Sequence, residues 1–229
     1  MHTIAILSQK GGSGKSTLTL HLAVASELAG CPAAVIDLDP QASAAGWRDS
    51  RRPEAPVVVP VPSTRLPQAL EAARAGGAAL ALIDTAPHAS EAAMAAAEAA
   101  DLVLIPSRPG ILDLRAIGTT VRIVKLAGKR AYVVLNAMPP RAPLVLADAR
   151  AAVAVHGLAV APFTLQQRAA YAHSLIAGQT AQEYEPAGKA GEEIALLYRW
   201  VRQELGLGAA KLPAMRQRGN KVPRAEAAV

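Results

Sequence analysis

Gln9-Lys10-Gly11-Gly12-Ser13-Gly14-Lys15-Ser16-Thr17 is the stretch on which the reading of the whole chain depends. It follows the phosphate-loop pattern G-x-x-x-x-G-K-[ST], except that Gln9 holds the first glycine slot. Glycines here let backbone N–H groups converge on phosphate oxygens without side-chain obstruction. In such a loop Lys15 reaches the β- and γ-phosphates, and the Ser16 hydroxyl coordinates Mg²⁺. The flanks agree. Thr3-Ile4-Ala5-Ile6-Leu7 reads as a buried strand, and Leu18, Leu22, Ala25 and Leu28 keep helical spacing. The phosphates would then sit at a helix N-terminus, where the unpaired N–H groups favour anions. A bare glycine turn is the plainer alternative, and the strand–loop–helix context speaks against it.

Lys10 adds information. An ordinary phosphate loop needs one lysine, and here a second stands five residues earlier. Lys10-Gly-Gly-Ser-Gly-Lys15-Ser-Thr resembles the deviant Walker A motif of the ParA/MinD superfamily. In that family the early lysine reaches across a nucleotide-sandwich dimer to the partner's ATP. The resemblance implies this role for Lys10, and an ATP site built from Lys10, Gly11, Gly12, Ser13, Gly14, Lys15, Ser16 and Thr17.

With 229 residues, one α/β domain is the expectation, and the chain is long enough for a sizeable core. Aromatic residues make up 3% of the chain, so that core is aliphatic and base stacking on single strands is disfavoured. Cys31 is the only cysteine, which excludes an internal disulfide or a paired-cysteine metal site and suits a reducing cytoplasm. No leader and no membrane-spanning apolar run are expected. Of the net charge of +6, residues 208–229 supply +4, from Lys211, Arg216, Arg218, Lys221 and Arg224 against Glu226. With two prolines and few apolar residues, this tail reads as disordered, leaving 1–207 as the domain.

Further acids lie at strand ends. Ala33–Asp39 reads as a strand followed by a short helix around 44–49, and 51–62 as an edge strand with linker. Asp37-Leu38-Asp39-Pro40-Gln41 matches the family's D-x-D-P-Q. The resemblance implies that Asp39 orients the attacking water and that Asp37 supports the magnesium shell; an aspartate capping the next helix is the alternative. Ala79–Asp84 is an apolar strand ending in an acid, the Walker B form, and Asp84 would meet Mg²⁺ through water.

Helices are expected at 89–100, from Leu114 to Val124 and at about 143–155, with strands at 102–106, 131–136 and 159–162. Pro106–Asp113 resembles the proline-containing loop that small ParA proteins such as ParF place near the subunit interface. Asn136 occupies the place of an adenine-contacting residue in the superfamily; a turn role is the alternative. No Asn-Lys-x-Asp guanine motif appears, which favours ATP. Leu165–Tyr171 resembles a ParF segment, and Glu183-Tyr184-Glu185-Pro186 the E-Y-D-P of chromosomal ParA proteins. The last helix buries Ile194, Leu197, Tyr198, Val201 and Leu205, with Lys189, Arg199 and Arg202 off that face. The five histidines show no metal spacing.

The resemblance spans residues 2 to about 206. It implies a P-loop NTPase of the deviant Walker A type, with a mostly parallel twisted sheet and helices on both faces. The implied function is a cytoplasmic, nucleoid-associated ATPase that uses ATP and Mg²⁺ and forms a homodimer on ATP. The dimer would bind non-specific duplex DNA, through Arg168, Lys189, Arg199 and Arg202 with the tail's help, and a centromere- or cargo-binding adaptor would release it by stimulating hydrolysis. Solvated helix faces are the alternative for these four cations. Plasmid or chromosome segregation is the first reading. Positioning of a non-DNA cargo is the second, and a metabolic ATP-dependent enzyme of the dethiobiotin-synthetase type the third. A membrane-gripping amphipathic helix is absent from the pattern.

Overall fold

Five segments of this chain are apolar at nearly every position, without the alternation of a half-exposed strand. Such segments belong in a parallel sheet covered on both faces. In the computed structural model, which describes residues 1–208, they do so. Strands β1 (His2–Ile6), β2 (Ala33–Asp37), β4 (Leu80–Asp84), β5 (Leu102–Ser107) and β6 (Ala131–Leu135) form the interior of a seven-stranded sheet. Its edges are β3 (Val57–Pro60) and β7 (Ala159–Val160). The order is β3-β2-β4-β1-β5-β6-β7, and every pairing is parallel. Pro60 ends an edge strand, where its missing N–H costs nothing. The seventh strand is only two residues long, shorter than the 159–162 the sequence predicts.

Because successive strand residues face opposite sides, each strand feeds two cores. Ile4, Ile6, Val35, Leu82 and Leu104 pack with helix α1 (Lys15–Leu28) and α9 (Lys189–Glu204). Ala5, Leu7, Ile36, Ile83 and Ile105 pack on the other face. That face is covered by α3 (Leu66–Ala75), α4 (Ser90–Ala99), α5 (Ile111–Leu126) and α6 (Pro143–Ala154). The expected buried face of α9 is observed, with Trp200 added to it.

Sheet order decides where a ligand can sit. β1 lies between β4 and β5, so the chain leaves β1 toward one side of the sheet and later returns to the other. Crevices at such a switch point, outside the carboxyl ends of the strands, are where open α/β sheets bind ligands. Register brings three strand ends level there. Ile6 is paired with Asp84, and Asp84 with Asp37.

A 3-10 turn at Ser63–Arg65 and three short α-helices complete the described fold: α2 (Ser43–Asp49), α7 (Ala169–Ile176) and α8 (Ala181–Tyr184). The last two go beyond the sequence reading. For α8 a signal existed, because Thr180-x-x-Glu183 forms a capping box with both reciprocal hydrogen bonds. Of the predicted basic tail only Gly208 is described; residues 209–229 lie outside the described residues.

Candidate nucleotide-binding site

The loop leaving β1 is held at its start. The Leu7 N–H bonds the Leu104 carbonyl, and the Gln9 N–H donates to Thr120 Oγ1 at 3.2 Å. Gln9 is buried and lies outside the positive-φ residues, so the departure from the glycine pattern carries no backbone strain. Gly12 and Gly14 do need their freedom, at φ +69 and +94. At Gly14 a Cβ would lie 2.0 Å from Asn136 Nδ2. Gly14 caps α1 without a side-chain hydrogen bond, and no acid stands in the first turn. The N–H groups at the start of this 14-residue helix are thus left for an anion.

Lys15 is buried, and its ammonium donates to the Lys10 carbonyl at 3.4 Å, bracing the loop across its mouth. Burial pulls its pKa down; Asp84 and Asp39 oppose that. Burial likewise pushes the Asp84 carboxyl up to about 7, although the nearby Ser16 hydroxyl and Lys15 favour the ionised form. Among the described residues, four buried side-chain atoms lack a well-formed hydrogen bond, and three belong here. They are Ser13 Oγ and both oxygens of Asp84; the fourth is Gln182 Oε1. Orphaned buried polar atoms are costly and call for a partner. A phosphate beside Ser13 and a hydrated cation between Ser16 and Asp84 suit these donors and acceptors.

The two acids of Asp37-x-Asp39 differ. Asp37 is buried, and burial raises its pKa. Its carboxylate accepts N–H bonds from Asp39 (3.0 Å), Ala44 (3.1 Å) and Ala45 (3.3 Å), so it caps the start of α2. Asp39 is half-buried and accepts only from the Gln41 N–H, at 2.9 Å. Asp37 therefore shapes the loop, and Asp39 keeps an oxygen for other work. Thr85, just after Asp84, donates to the Ile6 carbonyl at 3.0 Å and pins the next loop to β1. Asn136 follows β6 and is a strut: Nδ2 donates to the Ser13 carbonyl at 3.1 Å, and Oδ1 accepts from the Ala137 N–H at 2.7 Å.

Lys10 makes its contact on another element. Its Nζ lies 2.7 Å from Asp113 Oδ1 on α5, and its side chain is 40% exposed. Asp113 stands within a loop read from the sequence, but its pairing across 103 residues carries no sequence signal.

The CobQ/CobB/MinD/ParA nucleotide binding domain matches residues 4–181 of this sequence, most of its length. The chain belongs to that family. Members of the ParA/MinD family are ATPases, and this chain is one of them. It is 33% identical over 205 residues to the maintenance of carboxysome distribution protein A of Gloeobacter kilaueensis, spanning 88% of this chain and 93% of that protein. It is 32% identical over 115 residues to the protein ParA of Rhizobium radiobacter, covering 49% and 51%. Among solved structures, the septum site-determining protein MinD of Pyrococcus horikoshii, complexed with Mg-ADP, superposes with a TM-score of 0.69. It shares 20% identity, over 90% of this chain and 98% of that one, which speaks for the fold.

The four basic residues expected on one surface of this ParA/MinD-family chain are not alike. Arg168 is held by Glu193 (2.6 Å) and Gln166 (2.7 Å). Arg202 lies over the Tyr198 ring and donates to Cys31 Sγ and the Gly208 carbonyl. Lys189 and Arg199 are exposed. They are ten residues apart on α9, about 15 Å along its axis, and Lys189 lines a surface pocket together with Arg168.

Beneath the loop lies a residue with no assigned role in the sequence reading. His21 is fully buried on α1; its Nδ1 is 2.7 Å from the Thr17 carbonyl, and its Nε2 is 3.0 Å from the Ala181 N–H. A backbone N–H can only donate, so Nε2 is the acceptor and Nδ1 carries the proton. Burial lowers the pKa to about 4, against the pull of Thr17 and Glu183. The neutral ring joins the phosphate-loop helix to α8. Glu183 of α8 in turn pairs with buried Arg51 at 2.7 Å, just beyond α2. A lowered folded-state pKa means that stability is intact above the unfolded value near 6.5 and is lost as pH falls toward 4. The expected loss is about 3 kcal/mol. Denaturant titrations between pH 7 and pH 4 should show it, and an equal slope in His21→Leu would assign it to other groups.

Proposed function

We propose that this chain is a positioning ATPase whose dimer is assembled by ATP and released by hydrolysis. The observation that carries this is Lys10, half-exposed at the rim of the phosphate loop and engaged by Asp113 rather than by the loop it belongs to. A cation so placed can exchange one anionic partner for another, here the phosphates of a second subunit's ATP. Lys15 and the loop N–H groups cradle the terminal phosphates, and Asp39 orients the attacking water. Ser16, with Asp84 through water and Asp37 behind it, would hold Mg²⁺, which when bound neutralises charge on the phosphate oxygens.

The ATP dimer binds duplex DNA of any sequence through exposed cations, with Lys189 and Arg199 as the most accessible of the four. An adaptor protein stimulates hydrolysis and sets the cargo. The match over 93% of a carboxysome distribution protein favours a protein assembly as that cargo, positioned over the nucleoid in the cytoplasm. The shorter match to ParA favours plasmid or chromosome segregation. Among the described residues no helix is long and apolar enough to cross a membrane.

Light scattering with ATP tests the switch. Lys10→Ala should keep much of its nucleotide binding and lose the ATP-dependent dimer; normal dimers in that variant would end the cross-subunit role. DNA affinity should depend on ATP and fall by about 0.9 log units per phosphate contact per decade of salt. Deleting residues 208–229 separates two sources of affinity. Surviving ATP-dependent binding places the function on the folded surface, whereas loss of all binding, with no earlier ATP dependence, reduces it to a polycation.

A further inference from the structure

Arg108 is the first residue after β5, the strand beside β1, so the sheet places it next to the phosphate loop. A Cβ on Gly12 would lie 3.9 Å from Arg108 Nη2, so the guanidinium stands over the exposed glycine bend of the loop. Its backbone is held in place. Ser107 Oγ donates to the Arg108 carbonyl at 3.0 Å, Pro109 follows with its fixed φ, and Gly110 caps α5.

Among the described residues the Arg108 side chain forms neither a hydrogen bond nor an ion pair. Asp113, the acid five residues on, is occupied by Lys10 at 2.7 Å. A guanidinium offers several N–H donors in a planar fork matched to phosphate, and unlike an ammonium it can grip two oxygens at once. Gly12 places no side chain of its own beside this fork.

We propose that Arg108 contacts the terminal phosphate of the ATP bound by its own subunit, and so distinguishes ATP from ADP before the subunits meet. This rests on the nucleotide reading of the loop and adds a residue to it. Lys10 would then serve the partner's nucleotide and Arg108 its own. Arg108 is a contact residue for the γ-phosphate, acting from the β5–α5 loop rather than from the phosphate loop itself.

Calorimetric titration of the full chain with ATPγS and with ADP, with light scattering in parallel, tests the proposal. The wild-type Lys10–Asp113 pair is kept, since removing Lys10 would offer Asp113 to Arg108. Arg108→Ala should weaken ATPγS binding by about tenfold or more, the effect of losing a charge-assisted pair, and change ADP binding by less than about twofold. Arg108→Lys should recover part of the loss. Unchanged ATPγS affinity would overturn the proposal, and so would an equal loss for both nucleotides. A normal monomer affinity with a lost dimer would place Arg108 across the interface instead, and overturn its action in cis. Wild type binding neither nucleotide would remove the parent reading, a result that the Arg108 comparison cannot mimic.

Discussion

Lys15→Ala should leave the fold intact and remove ATP binding, with affinity falling by at least about 100-fold, the scale of losing a charge-assisted phosphate contact in a buried site. Lys15 as a residue is only 7% exposed, and burial already depresses its pKa, so its charge stands where it is costly. Its removal relieves that cost while taking away one of the few charges that favour ionised Asp84. The melting temperature without nucleotide should therefore hold or rise slightly. The stabilisation that ATP brings by mass action should disappear. Thermal melts with and without ATP and Mg²⁺ read both quantities at once. An ATP-induced shift equal to wild type would remove Lys15 from the phosphate cradle.

The second large effect is expected on turnover. Asp39→Ala should bind ATP and dimerise, yet hydrolyse about 10²–10⁴-fold more slowly, the usual worth of a positioned proton acceptor. Asp39→Asn is the sharper variant, because an amide oxygen can still accept the Gln41 N–H and preserve the turn. Loss of turnover in both variants, with the dimer persisting, separates chemistry from loop shape. Wild-type turnover in Asp39→Asn would move the role elsewhere. Asp37, next in line by sequence, would be a poor replacement to test. Three backbone N–H groups depend on its carboxylate, and its loss would disturb the start of α2.

The phosphate loop, the parallel sheet and the helices that flank it were legible in the chain by itself. Each is a local property. Glycines at 12 and 14 permit the bends, and unbroken apolar runs such as Leu80-Ala-Leu-Ile83 suit only a doubly covered sheet. Asp84 and Asp39 could be picked out because strand ends beside such a loop form the ligand crevice.

Tertiary structure decided which side chains are spoken for. Asp37 and Asp39 are two residues apart and look equivalent as a string, yet the geometry of α2 turns one into a helix cap. Arg168 and Arg202 read as surface cations until Glu193 and Cys31 are seen beside them. Lys10 with Asp113, His21 with Ala181 and Arg51 with Glu183 join residues 103, 160 and 132 positions apart. Such pairings depend on strand order and on where each loop lands. Neither periodicity nor motif spacing encodes those, because they are properties of the packed chain and not of any one segment.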